Sequence, residues 1–229
     1  REIFPSWSPD GRYISYYSDK TGEYELYILE NKKGALPRQV TSGSTAWKYQ
    51  PLWSPDSKFL LYSDRTLKLK LIEISSGKSI DIDNASKDEF RSYSFSADTR
   101  WVAYTKEESN DKSAIWVYEI PTGKKQKLTD GIYSDDNPVF SLDGNYLFFE
   151  SSRDYNLVNS GFEFDYLYGR SNRLYALALT PGSPKIFKDK NDTEPVKEPA
   201  KTETPAQKDK KPSGQAKEAV TESPKAVKT

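Results

Sequence analysis

The chain has 229 residues, 34 Lys and Arg against 34 Asp and Glu, and no histidine, cysteine or methionine. Zero formal net charge removes any electrostatic pull toward nucleic acid or an anionic membrane surface, and no apolar run is long enough to span a bilayer as a helix. Without histidine or cysteine, imidazole general-base chemistry, thiolate nucleophiles, disulfides and thiolate or imidazole metal sites are excluded.

Taken in chain order, one phrase recurs four times. It reads Pro5-Ser6-Trp7-Ser8-Pro9-Asp10-Gly11-Arg12-Tyr13-Ile14-Ser15-Tyr16, and returns from Pro51 to Tyr62, from Tyr93 to Tyr104 and from Pro138 to Phe149. The anchors Trp7, Trp53, Phe95 and Phe140 stand 46, 42 and 45 residues apart. A period of about 40–50 residues built from short strands marks β-propeller blades. Each repeat predicts a four-stranded antiparallel meander, with repeats near 5–43, 51–83, 93–131 and 138–187. The fold class is therefore all-β: about four blades of a propeller.

Within a repeat, the Pro-x-Trp-Ser piece is a short first strand. Ser8-Pro9-Asp10-Gly11 supplies a turn, since proline presets φ, aspartate bonds back to nearby backbone and glycine accepts φ > 0. Ser57 and Thr99 replace that glycine in the second and third repeats, which predicts less relaxed or differently shaped turns there. Three of the four second strands, such as Phe59-Leu60-Leu61-Tyr62 and Trp101-Val102-Ala103-Tyr104, are apolar without interruption. A strand apolar on both faces must be covered on both faces, as when each blade lies between two others.

Third strands follow at Glu25–Leu29, Leu69–Ile74, Ala114–Tyr118 and Arg173–Leu179, and outer strands are clearest at Gln39-Val40-Thr41 and Lys127-Leu128-Thr129. The aromatic residues read as inter-blade core. The recurring Asp10, Asp56, Asp98 and Asp143 read as turn formers, although their repetition also suggests a carboxylate ring.

The fourth repeat inserts residues 151–172 between its second and third strands, carrying Tyr155, Phe162, Phe164, Tyr166 and Tyr168. A loop this long and aromatic reads as a flap over the propeller face or a docking surface. Beyond Lys188 no aromatic residue occurs and Lys, Glu, Pro, Thr and Ala dominate. That composition predicts a folded portion over 1–188 and a disordered linker over 189–229. The chain starts at Arg1 within a strand-like context, which we read as the start of a fragment or processed piece.

Local motifs fail on spacing. Gly77-Lys78-Ser79 lacks the leading glycine of a phosphate loop, whose position holds Ile72. Asp81-x-Asp83 opens like a calcium loop but carries Ser86 and Ser92 where glycine and glutamate are required. No nucleophile elbow is present, and the Ser-x-Asp-Gly turns lack the residue that the sialidase aspartate box places between Asp and Gly. Asn84-Ala85-Ser86 and Asn191-Asp192-Thr193 match the common glycosylation triplet. No catalytic, cofactor-binding or metal-binding residue and no cofactor is predicted.

The repeated phrase resembles the propeller repeats of TolB-like proteins, prolyl-oligopeptidase-type peptidases and tricorn proteases. The fourth repeat, Phe140 to Asn156 with the insertion and then Ser171 to Leu177, resembles the last blade of the first, six-bladed propeller of tricorn-type proteases. That resemblance implies two blades missing on the N-terminal side and a charged linker in the tail. It implies a non-catalytic portion of a serine peptidase, whose catalytic domains lie downstream, associated with peptide passage or the docking of other domains. It further implies partners in peptides and the downstream protease domains, homo-oligomerisation at full length, and a cytoplasmic location. Two other readings are a TolB-like protein-binding propeller, with a periplasmic location, and a propeller enzyme using carboxylates at its central pore.

Overall fold

A computed structural model describes residues 1–154 and 172–187, together with the backbone of 157–159 and 166–168. Among the described residues there is no helix. The first sheet comprises β1 (Glu2–Trp7), β2 (Tyr13–Ser18), β3 (Glu25–Glu30) and β4 (Arg38–Gln39). The second comprises β5 (Leu52–Trp53), β6 (Phe59–Asp64), β7 (Lys68–Glu73) and β8 (Ser79–Asn84). The third comprises β9 (Tyr93–Phe95), β10 (Trp101–Glu107), β11 (Ser113–Glu119) and β12 (Lys124–Lys127). The fourth begins with β13 (Asp135–Phe140) and β14 (Tyr146–Ser151). A separate hairpin of β15 (Leu157–Asn159) and β16 (Tyr166–Tyr168) then intervenes before β17 (Arg173–Ala178) completes the sheet.

Each sheet is an antiparallel meander in sequence order, so all the β1–β2-type turns lie at one end of the blades and all blade-to-blade connectors at the other. The predicted meander holds for three blades; the fourth sheet has three strands among the described residues. In the first and third blades a threonine hydroxyl holds the outer strand, Thr41 Oγ1 accepting from Leu26 N and Thr129 Oγ1 from Ile115 N. The corresponding stretch of the fourth repeat reads Phe187-Lys188 and offers no such acceptor. The chain turns instead after Thr180, where Ser183 Oγ donates to Asn145 O.

The second strands are buried on both faces. Tyr17, Leu26 and Ile28 of the first blade pack with Trp53, Leu60, Tyr62 and Ile72 of the second. Leu61, Leu69 and Leu71 on the opposite face of the second blade pack with Val102, Tyr104 and Tyr118 of the third. Ala103, Ile115 and Val117 then meet Leu147 and Phe149 of the fourth. At the two ends of the arc nothing among the described residues continues the stack. Trp7 is 55% exposed while its repeat counterpart Trp53 is 6% exposed, and Leu174 is 71% exposed.

The turn is the same object four times. Ser8 Oγ donates to Asp10 Oδ1 at 2.7 Å, Asp10 Oδ1 accepts from Arg12 N, and Ser8 Oγ accepts from Tyr13 N. The same three bonds join Ser54, Asp56, Lys58 and Phe59; Ser96, Asp98, Arg100 and Trp101; and Ser141, Asp143, Asn145 and Tyr146. Ser57 and Thr99 adopt φ of 61° and 59°, beside 70° and 72° at Gly11 and Gly144, so the expected difference in turn shape is not found. What the two hydroxyl residues add lies between blades. Asp10 N donates to Ser57 Oγ and Asp56 N to Thr99 Oγ1, tying each turn to the one before it. The left-handed backbone there costs about 1 kcal/mol or more, and the partly buried hydrogen bond offsets some of it.

Hydrogen bonds to the turn aspartates hold their carboxyls below the usual 3.8. For Asp10, Asp98 and Asp143 the serine bond is the main cause, with Asp143 lowered to about 2. For Asp56, burial pushes upward but the bonds from Ser54 and Lys58 outweigh it. On acidification the unfolded chain therefore takes up protons first. The carboxylates' contribution is complete above about pH 4 and is lost as pH falls through the folded values. The thermal midpoint is expected to drop steadily between about pH 4 and pH 2, and less steeply in Asp56→Asn/Asp98→Asn; a midpoint flat over that interval contradicts this account.

Candidate functional site: the inner edges of the blades

β1, β5, β9 and β13 each end their sheet, leaving one edge of each without a strand partner. Such an edge normally invites pairing with another chain. Here it is interrupted in two ways. Prolines at 5, 51 and 138 have no N–H to offer; Ser54 donates its N–H to the second strand, so by alternation Pro51 lies on the outward side, while Pro5 and Pro138 sit within irregular stretches of β1 and β13. Three carbonyls along or beside these strands accept from side chains of the adjoining blade. Trp53 Nε1 donates to Ser6 O, Tyr93 Oη to Gln50 O and Ser94 Oγ to Pro138 O.

Bulges interrupt the pairing of β1 between Ile3 and Ser6 and of β13 between Asp136 and Val139. They hold Phe4 and Asn137 at φ of 53° and 55°, the left-handed region that side chains rarely adopt. Asn137 Oδ1 accepts from Ser92 Oγ at 3.0 Å, which joins the third blade to the fourth. Sequence reasoning missed both positions: the proline that follows each favours extended backbone at the residue before it, so no local signal pointed to the left-handed region. At the connector end these edges widen into a cleft of about 560 Å³ bounded by Phe4, Tyr49, Pro51, Leu52, Arg91 and Tyr93.

Buried charges brace this end. Lys48 and Glu25 are 4% and 3% exposed and 3.2 Å apart, and Glu25 also accepts from Thr41 Oγ1 and Ser44 N. Burial pushes the Lys48 ammonium below its ordinary value, partly offset by Glu25. Asp135, fully buried, accepts from Arg153 Nη2 at 2.9 and 3.1 Å, and the guanidinium lies over Tyr133, Phe149 and Tyr175. Asp83 of the second blade takes Tyr104 Oη, Lys106 Nζ and Lys125 Nζ from the third; burial pushes its carboxyl upward, and these bonds outweigh it. Each group is spent on its partner.

The four turn aspartates do not form a ring of free carboxylates; each is consumed in its own turn at the far end. Among the described residues no three or more His, Cys, Asp or Glu converge as a metal site. Of the insertion's aromatic residues, Tyr166 and Tyr168 are described in their backbone alone; Tyr155, Phe162 and Phe164 lie outside the described residues, as does the 189–229 segment.

The family model described as "Tricorn protease second beta propeller domain" matches residues 1–225. The chain belongs to this tricorn protease propeller family. The resemblance of the fourth repeat pointed to the first propeller, whereas the matching model is that of the second, so the count of six blades with two missing is not carried forward. The tricorn protease of Thermoplasma volcanium is 25% identical over 170 residues, covering 72% of this chain and 16% of its own length. A tricorn protease homolog of Saccharolobus solfataricus is 29% identical over 126 residues, covering 55% and 12%. The match to an uncharacterized peptidase of Bacillus subtilis covers 22% of that protein, so the chain spans about a fifth or less of these relatives.

The crystal structure of the tricorn protease superposes with a TM-score of 0.72 at 17% identity, over 81% of this chain and 18% of that one. TolB from Acinetobacter baumannii superposes with a TM-score of 0.51 at 18% identity, over 78% and 43%. At these identities the structural likeness establishes the tricorn propeller fold alone.

Removing Lys48 leaves Glu25 buried without its cation. Lys48→Met is expected to lower unfolding free energy in urea by about 3 kcal/mol, and Lys48→Met/Glu25→Gln to recover a large part of it. A loss under about 0.5 kcal/mol in the single variant contradicts the burial of this pair.

Proposed function

We propose that this chain is the non-catalytic propeller portion of a tricorn-like serine protease and that its inner edges let extended peptide pass without capturing it. One observation carries the reading: the inner edges offer an incoming strand neither an N–H at residues 5, 51 and 138 nor a free carbonyl at Ser6, Gln50 and Pro138. A peptide moving along such a wall finds aromatic and aliphatic surface and only an interrupted ladder to join, which favours movement over residence. The peptide bond is cut by domains of the protease other than this one. The uncovered faces of the first and fourth blades suit further blades or domains of the same protein, in a cytoplasmic assembly.

Fluorescence anisotropy of a labelled, unstructured peptide of mixed sequence tests this. The unaltered chain is expected to bind with Kd above about 100 μM, with little dependence on salt. Pro51→Thr/Pro138→Thr, which supplies an N–H at each of these positions, is expected to bind at least about threefold tighter. Sub-micromolar retention by the unaltered chain contradicts passage and supports the alternative of a TolB-like protein-binding propeller.

A further inference from the structure

The three seams between blades differ at one structural position. By strand register, Arg38 opposite Ile28 corresponds to Ile80 opposite Leu71 and to Gln126 opposite Val117. Across the first seam Arg38 Nη2 donates to the carbonyl of Ile74 at 2.6 Å. Across the second, Ile80 packs as an apolar plug beside Ile120. At the third seam the residue corresponding to Ile74 is Leu179, since Ile74 N donates to Lys58 O and Leu179 N to Asn145 O at equivalent places. Gln126 is too short to repeat the arginine bond, and its side chain has no hydrogen-bond partner among the described residues.

The second cross-seam link is missing at the same place. Asp10 N and Asp56 N donate to Ser57 and Thr99, but the third seam carries Gly144, which has no hydroxyl for Asp98 N. The outcome is a cleft of about 600 Å³ at the turn end, floored by Trp101, Val117, Leu128 and Phe140. Asp98 and Asp143 stand at its rim, and the Arg100 guanidinium beside them is already taken by Glu119 at 2.6 and 3.0 Å. Clefts of about 300–1,000 Å³ accept a side chain with flanking backbone.

We propose that this cleft binds a partner peptide through one arginine side chain, seated as Arg38 is seated in the first seam. The chain thus displays the occupant's chemistry in its own repeat: an aliphatic stem against the seam's apolar floor and a guanidinium donating to the third strand's terminal carbonyl. Asp98 and Asp143 keep their negative charge while bonded within their turns and supply the charge complement, and the Trp101 and Phe140 rings suit a guanidinium stack. The site faces the end of the blades opposite the connector cleft, and it stands whether or not the inner edges pass peptide.

The test is a titration of the ¹⁵N-labelled 229-residue chain with acetyl-Ala-Arg-Ala-amide, followed by amide and indole shifts, with the citrulline peptide as the uncharged control. Saturable shifts at Asp98, Gln126, Gly144 and the Trp101 indole are expected at millimolar peptide, with the citrulline peptide at least about tenfold weaker. Gln126→Arg/Gly144→Ser supplies both missing links from within; it is expected to raise the melting temperature by several degrees and abolish the shifts. Gln126→Arg alone, at an exposed position, is expected to abolish them as well. Absence of shifts up to about 10 mM peptide, equal shifts with citrulline, or shifts that persist in a folded closed variant overturns the proposal.

Discussion

Leu60 and Leu61 are neighbours in one strand, both fully buried, yet they belong to different cores. Because side chains alternate across a strand, Leu60 faces the first blade and Leu61 the third. This two-sided burial is the constraint on which the rest depends. A blade of this kind cannot be stable alone, since removing either neighbour exposes one entire apolar face. The contrast between Trp7 and Trp53, the same residue of the repeat with and without a neighbouring blade, shows what such a face looks like when nothing covers it.

Once blades stack this way, finer features take their form from the seams. The turn places its fourth residue at positive φ, and when that residue carries a hydroxyl it reaches the backbone of the preceding turn. The outer strand contributes one side chain to the same seam, and arginine, isoleucine and glutamine give three outcomes: a polar bridge, an apolar plug and an open cleft. The first strands are also stitched between blades by Trp53, Tyr93 and Ser94, whose side chains donate to the carbonyls of Ser6, Gln50 and Pro138.

Much of this was legible in the residues. The even recurrence of Trp7, Trp53, Phe95 and Phe140 and the uninterrupted apolar second strands lead to the blades, because both features follow from local periodicity. The role of the four aspartates as turn formers was also readable, since each carboxylate bonds to residues two positions away within its own turn. Less legible were effects set by long-range contacts. Ser57 and Thr99 look like defects of a glycine turn until the next blade is placed beside them. The buried partnership of Glu25 with Lys48, 23 residues away, leaves no pattern in either segment. The third strand as last member of the fourth sheet, and the match to the second propeller in place of the first, also lay beyond local pattern. Blade number is a property of closure, which no single repeat encodes.

The central claim is that each sheet is covered on both faces by other sheets. Substituting Leu60→Ala and Leu61→Ala separately, with chemical denaturation of each variant, tests it most directly. Two-sided burial predicts that each loses about 2–5 kcal/mol of stability. A sheet with one face in water would lose that much from one substitution and stay within about 0.5 kcal/mol for the other, and that outcome would contradict the account.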